Sequence, residues 1–379
     1  MIDALVDRSQ YPTLTDSIYL NQASLGLIGQ PAVRAMHEFL DDIARHGNQK
    51  MTDEDEVGFF EALRACGARI LNCETDRLAI LASASELHGQ LPFLIPPKSD
   101  GKIIAVSTDF PAVTRPWIRY EAENDCALCY VDDIATENLT DALIDAIDEQ
   151  ASVVAVSSVQ FSTGSLVNIP RLRDATARVD ARLVVDVTQA AGLLKIDSEN
   201  WEADAVVTSG YKWLGGHGGV ALAAVSSKLL DRSPLLPGWM GTPEPFNFDA
   251  KQLLFAESAH RFTQSTMSYI SMVGLTASME RLVSLGESQL ESHSRSLALR
   301  LIDGARPHGW VPFRELEDPS ASPHIVAIAH PTLGVDAAME ALRERHIVCG
   351  VRNGRLRFSL APFNSSDDID AVVDVLASV

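Results

Sequence analysis

Cysteine is sparse in this chain. There are five in 379 residues, Cys66, Cys73, Cys126, Cys129 and Cys349, an odd number at irregular spacing. That pattern excludes a disulfide framework. Cys126 and Cys129 form a CxxC, but no second CxxC or histidine pair follows. "CALCYV" therefore reads as a strand carrying two small apolar cysteines, and no metal site is expected. Positive charge is also short. Lys and Arg total 31 against 51 Asp and Glu, a formal net charge of −20. No basic footprint exists for nucleic acid, so any anion site must be built locally from backbone N–H groups and a few arginines. No run of about 18 apolar residues is present, so no membrane span is expected. The opening "MIDALVDRSQYPTLTD" lacks the basic and apolar regions of a signal peptide, which points to the cytoplasm. Internal repeats and low-complexity segments are absent. A GxGxxG is missing as well: "LASASELHG" stands after the first long strand, which argues against a nicotinamide-binding dehydrogenase.

What the chain does have is apolar content, 46% of its residues, enough for a sizeable core and two domains. Seven strand-like runs alternate with helical ones between about residues 78 and 226: "LAILAS", "KIIAVS", "ALCYVD", "SVVAVSSV", "RLVVDV", "DAVVTS" and "GVALAAVS". Amphipathic stretches such as "NLTDALIDAIDEQ" and "IPRLRDATARV" lie between several of them. Near-continuous apolar strands with helical crossovers predict a mostly parallel seven-stranded sheet covered by helices on both faces. The last two strands are separated only by a glycine-rich loop, so one of them is expected to run antiparallel. The N-terminal part predicts helices over 30–46 and 55–71. After about residue 250 the pattern turns to long helices and then to a smaller α/β module. The expected division is 1–75, an N-terminal segment packing on both domains; 76–255, a large ligand-binding domain; and 256–379, a small C-terminal domain.

In open α/β sheets, ligands bind beyond the carboxyl ends of the strands. Chemistry-capable residues recur at those ends here. Asp186 follows "LVV", and Lys212 follows "VVTSGY". Ser85 and Glu86 follow "LAILAS" at a helix start, and Phe110 follows "IIAVSTD". A lysine in a partly apolar pocket has its pKa lowered, which frees the amine as a nucleophile. A helix start offers N–H groups to phosphate. An acid buried at a strand end needs a partner. Lysine, acid and phosphate cup together suit pyridoxal 5′-phosphate, whose aldehyde needs a lysine for a Schiff base and whose ring nitrogen needs a carboxylate. Taken singly, each residue has a plain reading, a solvated lysine or a helix cap. Their order is what matters: Asp186 and Lys212 both end strands, one strand–helix–strand excursion apart.

"VVDVTQAAG", "VVTSGYKWLGGHGGVALAAV", "HRFTQSTMS" and "RLRFSLAPFNSSDDIDAVV", with "IYLNQASLGLIG" near the N-terminus, resemble the class V aminotransferase family. That family includes cysteine desulfurases, kynureninases and isopenicillin-N-epimerase-like enzymes of fold type I. The resemblance spans nearly the whole chain, and its most specific part is the lysine segment. By that resemblance Lys212 is the Schiff-base lysine and Asp186 the partner of the pyridinium. Gln189 bonds the ring hydroxyl or nearby groups, and Phe110 stacks on the ring. Ser85, Ser209 and Tyr211 hold the phosphate with Glu86 beside it, and Thr266 reaches the phosphate of a neighbouring subunit in a homodimer with shared sites. Arg357 takes the substrate carboxylate, with Arg352 and Arg355 in reserve. Trp213 is read as packing, and His88 and His217 receive no role. The glycines at 215–219 let the backbone turn tightly beside the lysine.

The chain departs from the desulfurase pattern. "IVCGVRNGRLRF" puts Cys349 inside a strand rather than on a mobile loop. Phe110 stands where those enzymes stack a histidine, and Phe161 replaces an asparagine. The expected function is a pyridoxal-phosphate enzyme acting on an amino acid or amine, an aminotransferase first. A β- or γ-elimination lyase, including a C–S lyase, is the alternative. A non-catalytic binder of the cofactor or a metabolite is the remote one.

Overall fold

The computed structural model describes residues 2–379. Strand β1 (Ile18–Tyr19) leads into two long helices, α1 (Gln30–His46) and α2 (Asp53–Leu71). Helix α2 starts on a capping box in which Thr52 and Asp55 satisfy each other's backbone N–H groups. Then β2 (Leu78–Leu81), α3 (Ala84–His88), α4 (Leu91–Leu94), β3 (Gly101–Val106), α5 (Pro111–Glu121), β4 (Cys126–Val131) and α6 (Leu139–Asp145) follow. The large sheet is completed by β5 (Ala151–Ser157), β6 (Arg182–Asp186), β7 (Ala205–Ser209) and β8 (Ala221–Val225), interleaved with α7 (Ile169–Arg178) and α8 (Ser198–Trp201).

The seven strands lie in the order β2-β8-β7-β6-β5-β3-β4. Only β8 opposes the rest, antiparallel to both β7 and β2. The physical reason is the loop 210–220: it is too short to carry the crossover that a parallel return requires. The period of two is visible in the packing. Leu78 and Ile80 of β2 enter one core and Ala79 and Leu81 the other, on opposite faces of the sheet. The CxxC lies on the edge strand β4, and Cys126 and Cys129 are free, half-buried thiols.

Beyond β8 come α9 (Ser227–Leu230), α10 (Tyr269–Leu285) and α11 (Glu287–Ala305), then β9 (Val311–Pro312), β10 (Ile325–Ala329) and α12 (Val335–Glu344). The chain finishes with β11 (Ile347–Val348), β12 (Gly350–Arg352), β13 (Arg355–Ser359) and α13 (Ser366–Leu376). An antiparallel sheet of order β12-β13-β10-β9 carries its own core, in which Leu297, Leu301, Phe358 and Val372 meet. Met272, Leu275 and Met279 of α10 belong instead to the core of the large sheet. The N-terminal stretch touches both: Val6 and Phe60 sit in the large core, Leu20 in the small one. Among the described residues no helix is long and apolar enough to cross a membrane.

Candidate active site

The carboxyl ends of β2, β3, β6 and β7 deliver the residues singled out in the sequence to one region. Strand β6 ends on Asp186, which is 7% exposed. Its Oδ1 accepts from the Thr188 N–H at 2.8 Å, and its Oδ2 lies 3.0 Å from His88 Nε2. Burial opposes ionisation of Asp186, but the imidazole and the Thr188 donors outweigh it and hold the carboxyl below its usual range.

Strand β7 ends on Ser209, and the chain then turns so that Lys212 points inward, 5% exposed. Its Nζ has no hydrogen-bond acceptor among the described residues. It lies 5.0 Å from the centre of the Phe110 ring and 5.8 Å from that of Tyr211. Burial pushes the amine down to about 8; Asp186 resists the shift, while Arg357 and Arg352 reinforce it. The turn depends on Gly215 and Gly219, both at positive φ (68° and 97°).

Phe110 caps α5 and is fixed from below by Asp109. That buried carboxylate accepts from the Phe110 N–H at 2.6 Å, the Ser157 N–H at 2.7 Å, Ser157 Oγ at 2.6 Å and Gln160 Nε2 at 3.3 Å. Phe110 also packs edge-on against Phe161, at 5.5 Å between centres. At the start of α3 the cap is Ser83, two residues before the serine singled out in the sequence; Ser85 lies inside the helix and is exposed. Glu86 reaches back to the Ala82 N–H at 2.9 Å, and its Oε1 is buried with no partner. Burial pushes its pKa up.

Gln189 is largely committed to the scaffold. Its Nε2 donates to Ala23 O at 3.0 Å, and its Oε1 accepts from Trp213 Nε1 at 2.8 Å. Trp213 is buried packing, as read from the sequence. Tyr211 is half-buried, His217 and Thr266 are exposed, and Thr266 lies on the surface stretch before α10.

Arg357 on β13 is 1% exposed. It donates to Phe161 O at 2.7 Å, Asn21 Oδ1 at 3.2 Å and Ser24 Oγ at 2.5 Å, and its Nε is buried without an acceptor. Burial and the neighbouring Arg352 lower its pKa to about 10. Arg355 faces elsewhere, with its guanidinium 4.8 Å from the Phe313 ring centre. The N-terminal loop closes over this region. Gln22 Nε2 donates to Lys212 O at 3.0 Å, and Gly26 N–H donates to Tyr211 O at 2.9 Å.

His88, Asp109, Asn21, Gln22 and Ser24 therefore belong to the constellation although none of them was assigned a role there from the sequence. A signal existed for His88, which follows strand β2 within a helical turn of Glu86. For the loop residues the signal was only the family resemblance of "IYLNQASLGLIG", because the partners of Asn21 and Ser24 lie more than 300 positions away.

The buried, unpaired amine, the ionised acid held by two donors, the aromatic ring beside the amine and the guanidinium with an idle Nε form a donor set that fits an aldehyde cofactor with a basic ring nitrogen and an acidic substrate group. The family model for aminotransferase class-V matches residues 18–372. The chain is 23% identical over 372 residues to the uncharacterized aminotransferase YcbU of Bacillus subtilis (strain 168), covering 98% of this chain and 96% of that protein. It is 25% identical over 313 residues to a kynureninase of Bacillus mycoides (strain KBAB4), covering 79% and 73%. Among solved structures, a C-DES mutant with glycine covalently linked to the PLP cofactor superposes with a TM-score of 0.87 at 19% identity, covering 98% of this chain and 99% of that one.

Proposed function

The chain belongs to the aminotransferase class-V family and is a pyridoxal 5′-phosphate-dependent enzyme; from that premise we propose that it transfers the amino group of an amino acid or amine, with Lys212 carrying the cofactor. The observation that supports this most is the Lys212 amine, buried, without an acceptor, beside Phe110, and with its pKa lowered to about 8.

When bound, pyridoxal phosphate supplies an aldehyde that condenses with amines and a ring that takes up the electron pair released at the substrate Cα. Asp186, kept ionised by His88 and Thr188, accepts the ring N–H and keeps that nitrogen protonated. Phe110 covers the ring. Ser85, Ser209 and Tyr211 would hold the phosphate, with Glu86 beside them. Gln189 has one amide hydrogen and one lone pair left after serving Ala23 and Trp213, enough for the ring hydroxyl or its neighbours. Arg357 would bind the substrate α-carboxylate and fix Cα, and Lys212 Nζ, once the substrate amine has taken its place, would accept the Cα proton.

Elimination uses the same residues and is the second reading, supported by the kynureninase relative. Cys349 argues against a persulfide-forming variant of it: the thiol is 7% exposed and burial pushes its pKa up to about 12. The same reading includes a homodimer in which Thr266 serves the partner's phosphate, a cytoplasmic location and the division at residues 75 and 255. Support for the dimer comes from the exposed apolar side chains Phe248, Leu253 and Leu254.

Borohydride reduction of the loaded protein followed by peptide mapping tests the central claim. The label is expected on Lys212, and a label on another lysine, or no yellow chromophore at all, overturns it. Oxo-acid-dependent amino exchange, set against release of pyruvate, ammonia or sulfide, separates transfer from elimination.

A further inference from the structure

Two guanidiniums converge on one hydroxyl. Arg357 Nη2 donates to Ser24 Oγ at 2.5 Å, and Arg352 Nη2 donates to the same oxygen at 3.1 Å. Neither meets a carboxylate among the described residues, unlike Arg300, Arg306, Arg314 and Arg343 of the same part of the chain. Ser24 can satisfy hydrogen bonds but cannot neutralise charge. A buried cation without a counter-ion is costly, and Arg357 is 1% exposed with an idle Nε. Arg352 is half-buried on the adjacent strand β12. Its strand neighbour Gly350 pairs with Arg357 in register, and a Cβ there would come within 3.4 Å of Arg357 Nη2, so the missing side chain leaves that guanidinium room.

The charge count is lopsided. Both arginines act on Lys212, making three cations, and Asp186 is the one anion that acts on it. On the reading given above, Asp186 is committed to the cofactor ring. One α-carboxylate then balances Arg357 and leaves Arg352 unanswered.

We propose that the substrate is an amino dicarboxylate, an α-amino acid with a second carboxylate on its side chain, held with its α-carboxylate on Arg357 and its second carboxylate on Arg352. This rests on the assignment of Arg357 to the α-carboxylate. Arg352 is then the residue that sets specificity.

The test uses two unreactive acids of equal length, glutarate and valerate. They are titrated into the pyridoxal-phosphate-loaded protein and followed by the visible spectrum and by tryptophan fluorescence. Wild type is expected to bind glutarate about tenfold or more tightly than valerate, the scale of one charged hydrogen-bonded pair. R352Q is expected to weaken glutarate binding far more than valerate binding and so erase that preference, while R357Q weakens both. R352K, which keeps the charge and loses the planar fork, is expected to fall between; it also reads the preference if R352Q does not fold. Equal binding of the two acids by wild type overturns the proposal. So does an R352Q that weakens both alike, since Arg352 would then be a second clamp on the α-carboxylate. Absence of a chromophore on Lys212 marks failure of the cofactor assignment instead, and the fluorescence titration of the unloaded chain still reports the acid preference.

Discussion

His88 Nε2 lies 3.0 Å from Asp186 Oδ2, across 98 positions of sequence, with both side chains buried. An ionised carboxylate only accepts hydrogen bonds, so the imidazole donates through Nε2. Its Nδ1 then remains buried without a partner. The histidine holds one oxygen of Asp186 while the Thr188 N–H holds the other, so on the proposed reading it would act on the cofactor through the acid.

H88L removes that donor and leaves Asp186 with a single amide bond. The carboxyl is expected to rise in pKa and hold the ring nitrogen less well. Cofactor retention on dialysis should fall about tenfold or more. H88Q keeps an N–H donor and should recover most of the loss. Equal retention in H88L and wild type would show that Thr188 alone positions the acid.

The lowered pKa of Lys212 has a consequence for stability with a definite sign. The folded value is about 8 against 10.5 for an ordinary lysine amine. Between those values the unfolded chain binds more protons than the folded one, so stability of the unloaded protein rises with pH across that window. Below pH 8 the full cost of charging the buried amine is present, about 3 kcal/mol. Unloaded K212M should therefore unfold at higher denaturant than wild type at pH 7, with the gap closing between pH 8 and 10.5. A gap that does not change with pH would contradict the shift. In wild type, the rate at which added pyridoxal phosphate forms a chromophore should climb with pH and level off above about 8.

Gly26 sits against the lysine segment. A Cβ built there would stand 2.1 Å from Lys212 O, a backbone atom that cannot swing away. G26A is expected to cost roughly 1–3 kcal/mol in chemical denaturation and to displace the Lys212 turn. The displacement should appear as slower cofactor uptake. G218A, where a Cβ meets nothing within 4 Å, is the matched control and should behave as wild type.

Phe110 is 40% exposed, yet it stands beside the Lys212 amine and is pinned by Asp109. F110A should leave the melting temperature of the unloaded protein close to wild type. It should weaken cofactor binding about three- to tenfold, the scale of one aromatic contact. A large drop in melting temperature would assign the ring to packing instead.

The strands were legible because each is a near-continuous apolar run between polar turns, and the antiparallel placement of β8 followed from a loop too short for a crossover. Asp186 was legible because it ends a strand, Phe110 because it caps the next helix and Lys212 because it follows shortly after a strand end, positions that local sequence reports. Helix α3 starts where the sequence places it, but "SASE" offers two serines and only the backbone geometry selects Ser83 as the cap. His88, Asp109 and Ser24 could not be assigned from spacing. Their roles come from partners on other strands, and a pairing such as Ser24 with Arg357 spans 333 positions.

Strand β1 pairs in parallel with β11, Ile18 opposite Ile347. During synthesis the segment that closes over Lys212 leaves the ribosome long before the strand it must join. Until β12 and β13 exist, Asn21 and Ser24 lack the guanidiniums they meet, whereas Gln22 can already reach Lys212 O. A nascent chain with a finished seven-stranded sheet therefore still lacks both guanidiniums that converge on Ser24, and they arrive only with its final strands.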